Sequence, residues 1–341
     1  MASKIATDPR IDPRIKAMFG AMDMNMGGDV KDREQMIAET KANEETFKNM
    51  QQMFEMFDNE DIAPSKGLKV IQEEIRSQPD NNVINLRIIR PDNNQRLPCV
   101  YYIHGGGMAF MSCFDANYRA WGKIIAAKGV CVVMVDFRNC VSASSVPEVA
   151  PFPAGLNDCV SGLKWTHAHA DQLNIDPTRI VIAGESGGGN LTLATGLKLL
   201  KDGDIGLVKG LYALCPYIAG SWPRADLPST TENNGILLDL HNNRGAMGYG
   251  MEAFDAKNPL AWPLFATAED VKGLPPVMIS VNECDPLRDE GIAFYRLLMT
   301  AGVKARCRQV MGTVHGTEIF PAVCPDVSRD TASDIANFVT N

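Results

Sequence analysis

One short segment has the residue types of a nucleophile turn. Gly184-Glu185-Ser186-Gly187-Gly188 satisfies the pattern G-x-S-x-G, an apolar strand pattern precedes it, and a helical pattern follows from Leu191. A strand, a sharp turn and a helix would raise the Ser186 hydroxyl above a sheet, where it can attack a carbonyl carbon. We therefore predict that Ser186 is a nucleophile. A structural glycine turn is the alternative, and a phosphate loop fits poorly because Asn190 replaces its lysine.

A second glycine-rich segment could stabilise negative charge. His104-Gly105-Gly106-Gly107 directly follows the strand pattern Cys99 to Ile103. Glycines let backbone N–H groups crowd around a substrate oxygen without interference from Cβ atoms. We predict that Gly106, Gly107 and Gly187 donate to the oxyanion and that His104 braces the loop by hydrogen bonds. The alternative is a plain flexible turn.

A nucleophilic serine needs a base, and the chain has five histidines. His167 and His169 lie two residues apart on a helical pattern, so they point in different directions. His241 lies in a long segment with no strand before it. His315 follows the last strand pattern and is the predicted base. With an unperturbed imidazole, activity would rise through about pH 6–7.

The base needs an acid to orient it. Glu283, Asp285 and Asp289 follow the strand pattern Val277 to Val281 and compete for this role. Asp285 is favoured, because it lies at the strand tip before a proline that starts a helix, whereas Asp289 would compensate charge at that helix's N-terminus. The resulting chain order of serine, aspartate and histidine is that of α/β-hydrolases.

The elements that position these residues alternate between strand and helix. Such alternation predicts an α/β fold with a mostly parallel sheet covered by helices on both faces. Helical patterns are expected near 117–128, 155–170, 189–201 and 288–301 and after Asp326. The eight predicted strands are Leu68 to Ile75, Val83 to Ile89, Cys99 to Ile103, Val130 to Val135, Arg179 to Ala183, Leu211 to Cys215, Val277 to Val281 and Ala305 to Met311.

Two segments lie outside this alternation. The stretch between Pro216 and Pro263 is too long for a simple connection and is predicted to be an insertion with its own helices. Residues 33–57 form a helical pattern through Met36, Phe47, Met50, Phe54 and Phe57. No predicted strand or catalytic motif lies in residues 1–60, so we expect the sheet not to need them.

Composition excludes several classes of protein. The 341 residues are 45% hydrophobic and 22% charged, which argues against a disordered chain and a coiled coil. The net charge of -8 and the lack of a basic run argue against nucleic-acid binding. The longest apolar run, Val130 to Val135, is too short to span a membrane. Nine irregularly spaced cysteines without C-x-x-C predict reduced thiols, a cytoplasmic location, and neither a metal site nor a redox pair.

Taken together, the motifs resemble the bacterial hormone-sensitive-lipase family of esterases, known as family IV. The resemblance covers about residues 65–341 and rests on the segments His104–Gly107, Gly184–Asn190, Asp285–Gly291 and His315-Gly316. It implies an α/β-hydrolase core (61–216 and 263–341), a helical cap built from 1–60 and 217–262, and carboxylesterase activity without a cofactor. It also implies that the chain can form a homodimer. The chain departs from the family's usual Asp and Ala at Glu185 and Gly187.

The sequence therefore predicts a serine carboxylesterase that hydrolyses short-to-medium acyl esters through an acyl-enzyme intermediate. Its partner would be a small-molecule ester. An amidase, a lactonase or a thioesterase could use the same triad, and a non-catalytic ligand receptor could use the same scaffold. A receptor would lack the histidine or the aspartate, and this chain lacks neither.

Overall fold

The computed structural model describes residues 3–22 and 27–341 and contains one eight-stranded sheet. Each predicted strand has a counterpart in it. The fifth begins earlier than expected, because Ile175 pairs with Leu97 ahead of a break in register. The strands are β1 (Leu68–Arg76), β2 (Val83–Pro91), β3 (Leu97–Ile103), β4 (Cys131–Asp136), β5 (Ile175–Glu185), β6 (Gly210–Leu214), β7 (Val277–Asn282) and β8 (Ala305–Val310).

The sheet has the order β1-β2-β4-β3-β5-β6-β7-β8. The pairs β1·β2 and β2·β4 are antiparallel, and every other neighbouring pair is parallel. The predicted α/β-hydrolase fold with a mostly parallel sheet is therefore confirmed. Because parallel strands end at one edge, the loops after β3, β5, β7 and β8 meet there.

Helices cover both faces of this sheet, as predicted. Along β3, Val100 and Tyr102 face the layer that holds α5 and α14, while Tyr101 faces the layer that holds α6, α8 and α13. The helices are α1 (Lys4–Thr7), α2 (Pro13–Phe19), α3 (Arg33–Ala42), α4 (Glu44–Phe54), α5 (Ala116–Ala126), α6 (Ala154–Ala168), α7 (Ala170–Leu173), α8 (Gly187–Asp202), α9 (Ser229–Glu232), α10 (Arg244–Tyr249), α11 (Met251–Asp255), α12 (Ala268–Val271), α13 (Arg288–Thr300) and α14 (Pro325–Thr340). Within the described ranges, none of them is long and apolar enough to cross a bilayer.

The first four helices and the insertion contact each other. Lys4 donates to the Asn234 carbonyl, and Arg244 donates to the Gly28 carbonyl at 2.8 Å and pairs with Glu39. These contacts join the two segments predicted to form a cap, whose boundaries remain a prediction. The predicted helix at 33–57 is divided into α3 and α4. The side chains of Phe47 and Met50 lie outside the described residues.

The N-terminal segment also contributes to the main core. Ile5 and Ile15 are fully buried, and Phe19 is nearly so. Phe19, Phe54 and Phe57 surround the Phe320 ring at centroid distances of 5.2, 5.8 and 5.8 Å. Phe320 lies five residues beyond His315, so this segment packs against the loop that carries the predicted base.

Candidate active site

Ser186 occupies a strained turn between β5 and α8. Its φ of 57° and ψ of -119° are unusual for a residue with a side chain. The turn is held from both sides: the Ser186 amide donates to the Leu214 carbonyl at 3.0 Å, and the Ser186 carbonyl accepts from the Tyr217 amide at 3.1 Å. The predicted nucleophile turn is therefore present, with Ser186 at its tip.

The glycines of this turn allow close packing of backbone. A Cβ atom on Gly188 would lie 2.0 Å from the carbonyl oxygen of Ile103 in β3. A Cβ atom on Gly187 would lie 2.6 Å from the Met108 nitrogen and 2.8 Å from the Gly107 nitrogen. The turn thus lies directly against the strand and loop that carry the second glycine motif.

The structure brings Ser186, His315 and Asp285 together. His315 Nε2 lies 2.8 Å from Ser186 Oγ, and His315 Nδ1 lies 2.8 Å from Asp285 Oδ2. In the neutral imidazole, Nδ1 donates to the carboxylate and Nε2 accepts from the hydroxyl. The second Asp285 oxygen accepts from the Leu287 amide at 2.9 Å, which fixes the carboxylate. This arrangement can pass the serine proton to the imidazole.

The surroundings of His315 favour its protonated form. Burial lowers the pKa of the imidazole, but the charge and hydrogen bond of Asp285, together with the neighbouring Cys215, raise that pKa by more, so it lies well above its ordinary value. Asp285 is fully buried, so water screens the attraction only weakly. These surroundings would stabilise a proton that His315 takes from Ser186.

The competing acids have other partners. Asp289 accepts from the Ser229 amide at 2.7 Å and pairs with Arg288 at 2.9 Å. Glu283 accepts from the Gly312 amide at 2.7 Å and so joins the loop before His315 to the loop of Asp285. Both carboxylates thus bind neighbouring segments, whereas Asp285 contacts the imidazole.

Three of the four other histidines lie in contacts away from Ser186. His241 Nε2 lies 2.8 Å from the Thr230 carbonyl, and His169 stacks on Trp165. His104 is fully buried and stacks on Phe137 at 4.3 Å. One His104 hydrogen bond to the loop, from Nδ1 to the Gly105 carbonyl at 3.1 Å, matches the bracing role that was predicted.

The three predicted oxyanion donors lie side by side. Gly106 and Gly107 have φ values of 84° and 63°, and Met108 follows at 58°, so the loop makes a tight left-handed turn. The Gly106 carbonyl accepts from the Ala109 and Phe110 amides at 3.0 Å each, which closes the turn. The backbone of this loop at Gly107 contacts Gly187. Backbone amides that converge in this way can stabilise an oxyanion.

Sequence reasoning missed a buried network beside the nucleophile. Glu185, only 2% exposed, accepts from the Tyr102 and Tyr118 hydroxyls at 2.5 Å each. The Tyr118 hydroxyl accepts in turn from the Gly105 amide at 2.9 Å. The only signal in the sequence was the departure from the family's usual residue at position 185.

Sequence reasoning also missed a set of residues that contact the loops of Asp285 and His315. The Asn233 side chain donates to the Asp285 carbonyl at 3.0 Å, and Arg10 donates to the Asn233 oxygen at 2.9 Å. The Asp12 amide donates to the Gly312 carbonyl at 2.9 Å, three residues before His315. The N-terminal segment therefore binds the loops that carry the predicted acid and the predicted base. The lack of motifs in this segment gave no indication of that contact.

One metal-like cluster coincides with the triad. Ligand atoms of Cys215, Asp285 and His315 lie within 4.8 Å of one another, the one such group found in the described part of the chain. Burial raises the pKa of the Cys215 thiol to about 11, so it stays protonated at neutral pH. Two of the three groups already bond each other, and the expectation that no metal is needed stays a prediction.

The chain is similar in sequence and in fold to known hydrolases and esterases. A family model described as the alpha/beta hydrolase fold matches residues 100–319. The carboxylesterase NlhH of Mycobacterium tuberculosis is 32% identical over 249 residues, which is 72% of this chain and 74% of that protein. The solved structure of esterase Est22 is 65% identical, covers 99% of both chains and superposes with a TM-score of 0.98. The brefeldin A esterase, described as a bacterial homologue of human hormone-sensitive lipase, is 34% identical with a TM-score of 0.86 and covers 98% of this chain and 94% of its own.

Proposed function

The chain belongs to the alpha/beta-hydrolase family and is a hormone-sensitive-lipase-like carboxylic ester hydrolase, and from this premise we propose that Ser186, His315 and Asp285 are its catalytic residues. Ser186 Oγ attacks the ester carbonyl carbon while His315 Nε2 takes the hydroxyl proton. Asp285 holds the imidazole in the required tautomer and balances its positive charge. The single observation that carries this proposal is the pair of 2.8 Å hydrogen bonds on the two His315 nitrogens.

The tetrahedral intermediate places a negative charge on the former carbonyl oxygen. We propose that the amides of Gly106, Gly107 and Gly187 bind it. Collapse of this intermediate breaks the bond to the alcohol, which leaves with the proton from His315. Water then gives a proton to His315 and attacks the acyl-enzyme, and the acid departs as the proton returns to Ser186. Protons and electrons balance over the two steps without a cofactor.

The test is hydrolysis of p-nitrophenyl butyrate by the purified protein; a structure of the related Est22 is described as containing p-nitrophenol. Ser186→Ala, His315→Ala and Asp285→Asn should each lower kcat by about 10³-fold or more, with unchanged circular dichroism. Asp289→Asn and Glu283→Gln are the matched controls, and they should cost less than about tenfold because neither contacts the imidazole. A larger loss in Asp289→Asn than in Asp285→Asn would show that the acid is wrongly assigned.

We also propose that residues 1–60 and 217–262 form a cap and that the preferred acyl groups are short to medium. The contacts of Arg244 and Lys4 across the two segments support the first part. The second part draws support from Met108, Phe110 and Met111, apolar residues that directly follow the oxyanion glycines. Measuring kcat/KM on p-nitrophenyl esters from acetate to palmitate tests the preference, and a maximum at palmitate would contradict it.

We further propose a cytoplasmic, cofactor-free enzyme that can form a homodimer. All nine cysteines are free thiols, which suits a reducing compartment. The dimer rests on the family alone, and sedimentation of the purified protein tests it. Activity that is lost in EDTA and restored by zinc would contradict the cofactor-free mechanism.

A further inference from the structure

The Glu185 carboxylate is buried without a cation. It lies one residue before Ser186, and the ion pairs found in the described ranges do not include it. Its two oxygens instead accept from Tyr102 and Tyr118 at 2.5 Å each. Above its pKa of about 7 the carboxyl group of Glu185 is ionised. Hydrogen bonds to a charged acceptor are short and strong, so both hydroxyl hydrogens are then directed at Glu185.

The two tyrosines differ in whether their hydroxyl oxygens also accept a hydrogen bond from the glycine loop. Because the single hydrogen of Tyr118 points to Glu185, its oxygen lone pairs are left to accept the Gly105 N–H at 2.9 Å. Without the carboxylate, that hydrogen could turn to Met111 Sδ, 3.7 Å away. Within the described residues, the Tyr102 hydroxyl makes no hydrogen bond to the glycine loop, so only the Tyr118 hydroxyl contacts that loop.

Packing couples the same groups. A Cβ atom on Gly105 would lie 2.3 Å from Glu185 Oε1, so the loop rests on the carboxylate. Gly105 immediately precedes the donors Gly106 and Gly107, whose φ values of 84° and 63° leave one tight path for the backbone. A shift at Gly105 therefore passes directly to both donors.

We propose that Glu185 is a positioning residue for the oxyanion hole, which orients the Tyr118 hydroxyl so that it holds Gly105 and aligns Gly106 and Gly107 with Ser186. The inference rests on the proposed roles of Ser186 and the glycines. Burial raises the pKa of Glu185 to about 7, and the hydrogen bonds from Tyr102 and Tyr118 work against that rise. Their opposing effect fits a network built to hold the carboxylate.

The test compares Tyr118→Phe with Tyr102→Phe. Each variant removes one hydroxyl that donates to Glu185, so the two should lose similar thermal stability. Only Tyr118→Phe removes the hydroxyl that accepts the Gly105 N–H. We expect its kcat to fall about tenfold with KM within about twofold, less than the 10²–10³ lost when an oxyanion donor is removed. Tyr102→Phe should keep kcat within about twofold.

A second measurement is the affinity of a trifluoromethyl ketone inhibitor. Ser186 Oγ would add to its carbonyl carbon and form a stable oxyanion, so a purely structural role of Glu185 would leave this affinity unchanged. Its affinity should fall with kcat in Tyr118→Phe and stay unchanged in Tyr102→Phe. Equal losses in the two variants, or no loss in Tyr118→Phe, would overturn the inference. If Tyr118→Phe does not fold, Glu185→Asp is the replacement variant. Aspartate keeps the carboxylate charge and both tyrosine hydroxyls, but its shorter side chain moves the carboxylate away from them. Unchanged kcat and unchanged inhibitor affinity in Glu185→Asp would then overturn the inference.

The result is separable from the proposed function. If Ser186→Ala retains full activity, the proposed nucleophile is wrong whatever the tyrosine variants do. If Ser186→Ala is inactive and Tyr118→Phe behaves like Tyr102→Phe, the triad stands and only the positioning role of Glu185 fails.

Discussion

Gly187→Ala tests how closely the oxyanion loop lies on the nucleophile turn. The family that the sequence resembles usually has alanine here, yet an added Cβ atom would lie 2.8 Å from both the nitrogen and the Cα of Gly107 and 2.6 Å from the Met108 nitrogen. These contacts are backbone, so rotation of a side chain cannot relieve them. The loop must move, while the Gly187 amide itself is retained.

The size of the effect follows from this distance. Moving the Gly107 backbone from 2.8 Å to an ordinary contact of 3.4 Å requires an outward shift of about 0.6 Å. A donor at 2.9 Å from the oxyanion would then lie at about 3.5 Å, where a hydrogen bond is largely lost. Complete removal of one donor costs about 10²–10³ in kcat, so we expect a loss of about 10- to 100-fold.

The assay is kcat and KM on p-nitrophenyl butyrate, with circular dichroism and thermal melting to check folding. Gly206→Ala is the control, because a Cβ atom there meets no atom within 4 Å. KM should change little, since the lost interaction forms in the transition state. A folded Gly187→Ala enzyme with the kcat of Gly206→Ala would refute the assignment of Gly107 as a donor near Gly187.

Two further predictions concern the pH dependence of activity and the deletion of residues 1–20. Because the pKa of His315 is raised and only the neutral imidazole accepts the serine proton, activity should be lost as pH falls through that raised value. The rise in activity with pH should therefore lie above the pH 6–7 that an unperturbed imidazole gives. In Asp285→Asn, the rise of the remaining activity should move to lower pH. An unmoved midpoint in the full pH profile of this variant would contradict the prediction. Deleting residues 1–20 removes the buried side chains Ile5, Ile15 and Phe19, each worth about 1.5–3 kcal/mol, so the chain should unfold or lose more than about 10 °C in Tm. A truncated protein with an unchanged melting curve would restore the expectation that the sheet does not need this segment.

Short-range patterns made the sheet and the chemical residues predictable. Ser186 and the His104–Gly107 motif are recognisable because each lies within a few residues of a strand whose apolar run is unbroken. Asp285 and His315 follow from the rule that the loops after parallel strands share one edge. Such features need only local sequence and the alternation of strands and helices.

The missed residues depend on contacts that no local pattern encodes. Glu185 lies 83 residues from Tyr102 and 67 from Tyr118. The three meet because β3 pairs with β5 and because α5, which carries Tyr118, packs on the neighbouring strands β2 and β4. Arg10 lies 223 residues from Asn233. The burial of Ile5 was hidden for the same reason, because the hydrophobic cluster that includes it draws residues from distant parts of the chain, such as Ile236 and Phe320.

The attachment of residues 8–20 to the catalytic loops has a consequence for how the protein is made. Asp12 bonds Gly312, and Phe19 packs on Phe320, so the partners of this segment lie about 300 residues later in the chain. Until those residues have been synthesised, α2 lacks these partners. The nascent chain therefore exposes apolar side chains of α2 that a chaperone can bind, and the His315 loop is braced only after it has itself emerged from the ribosome.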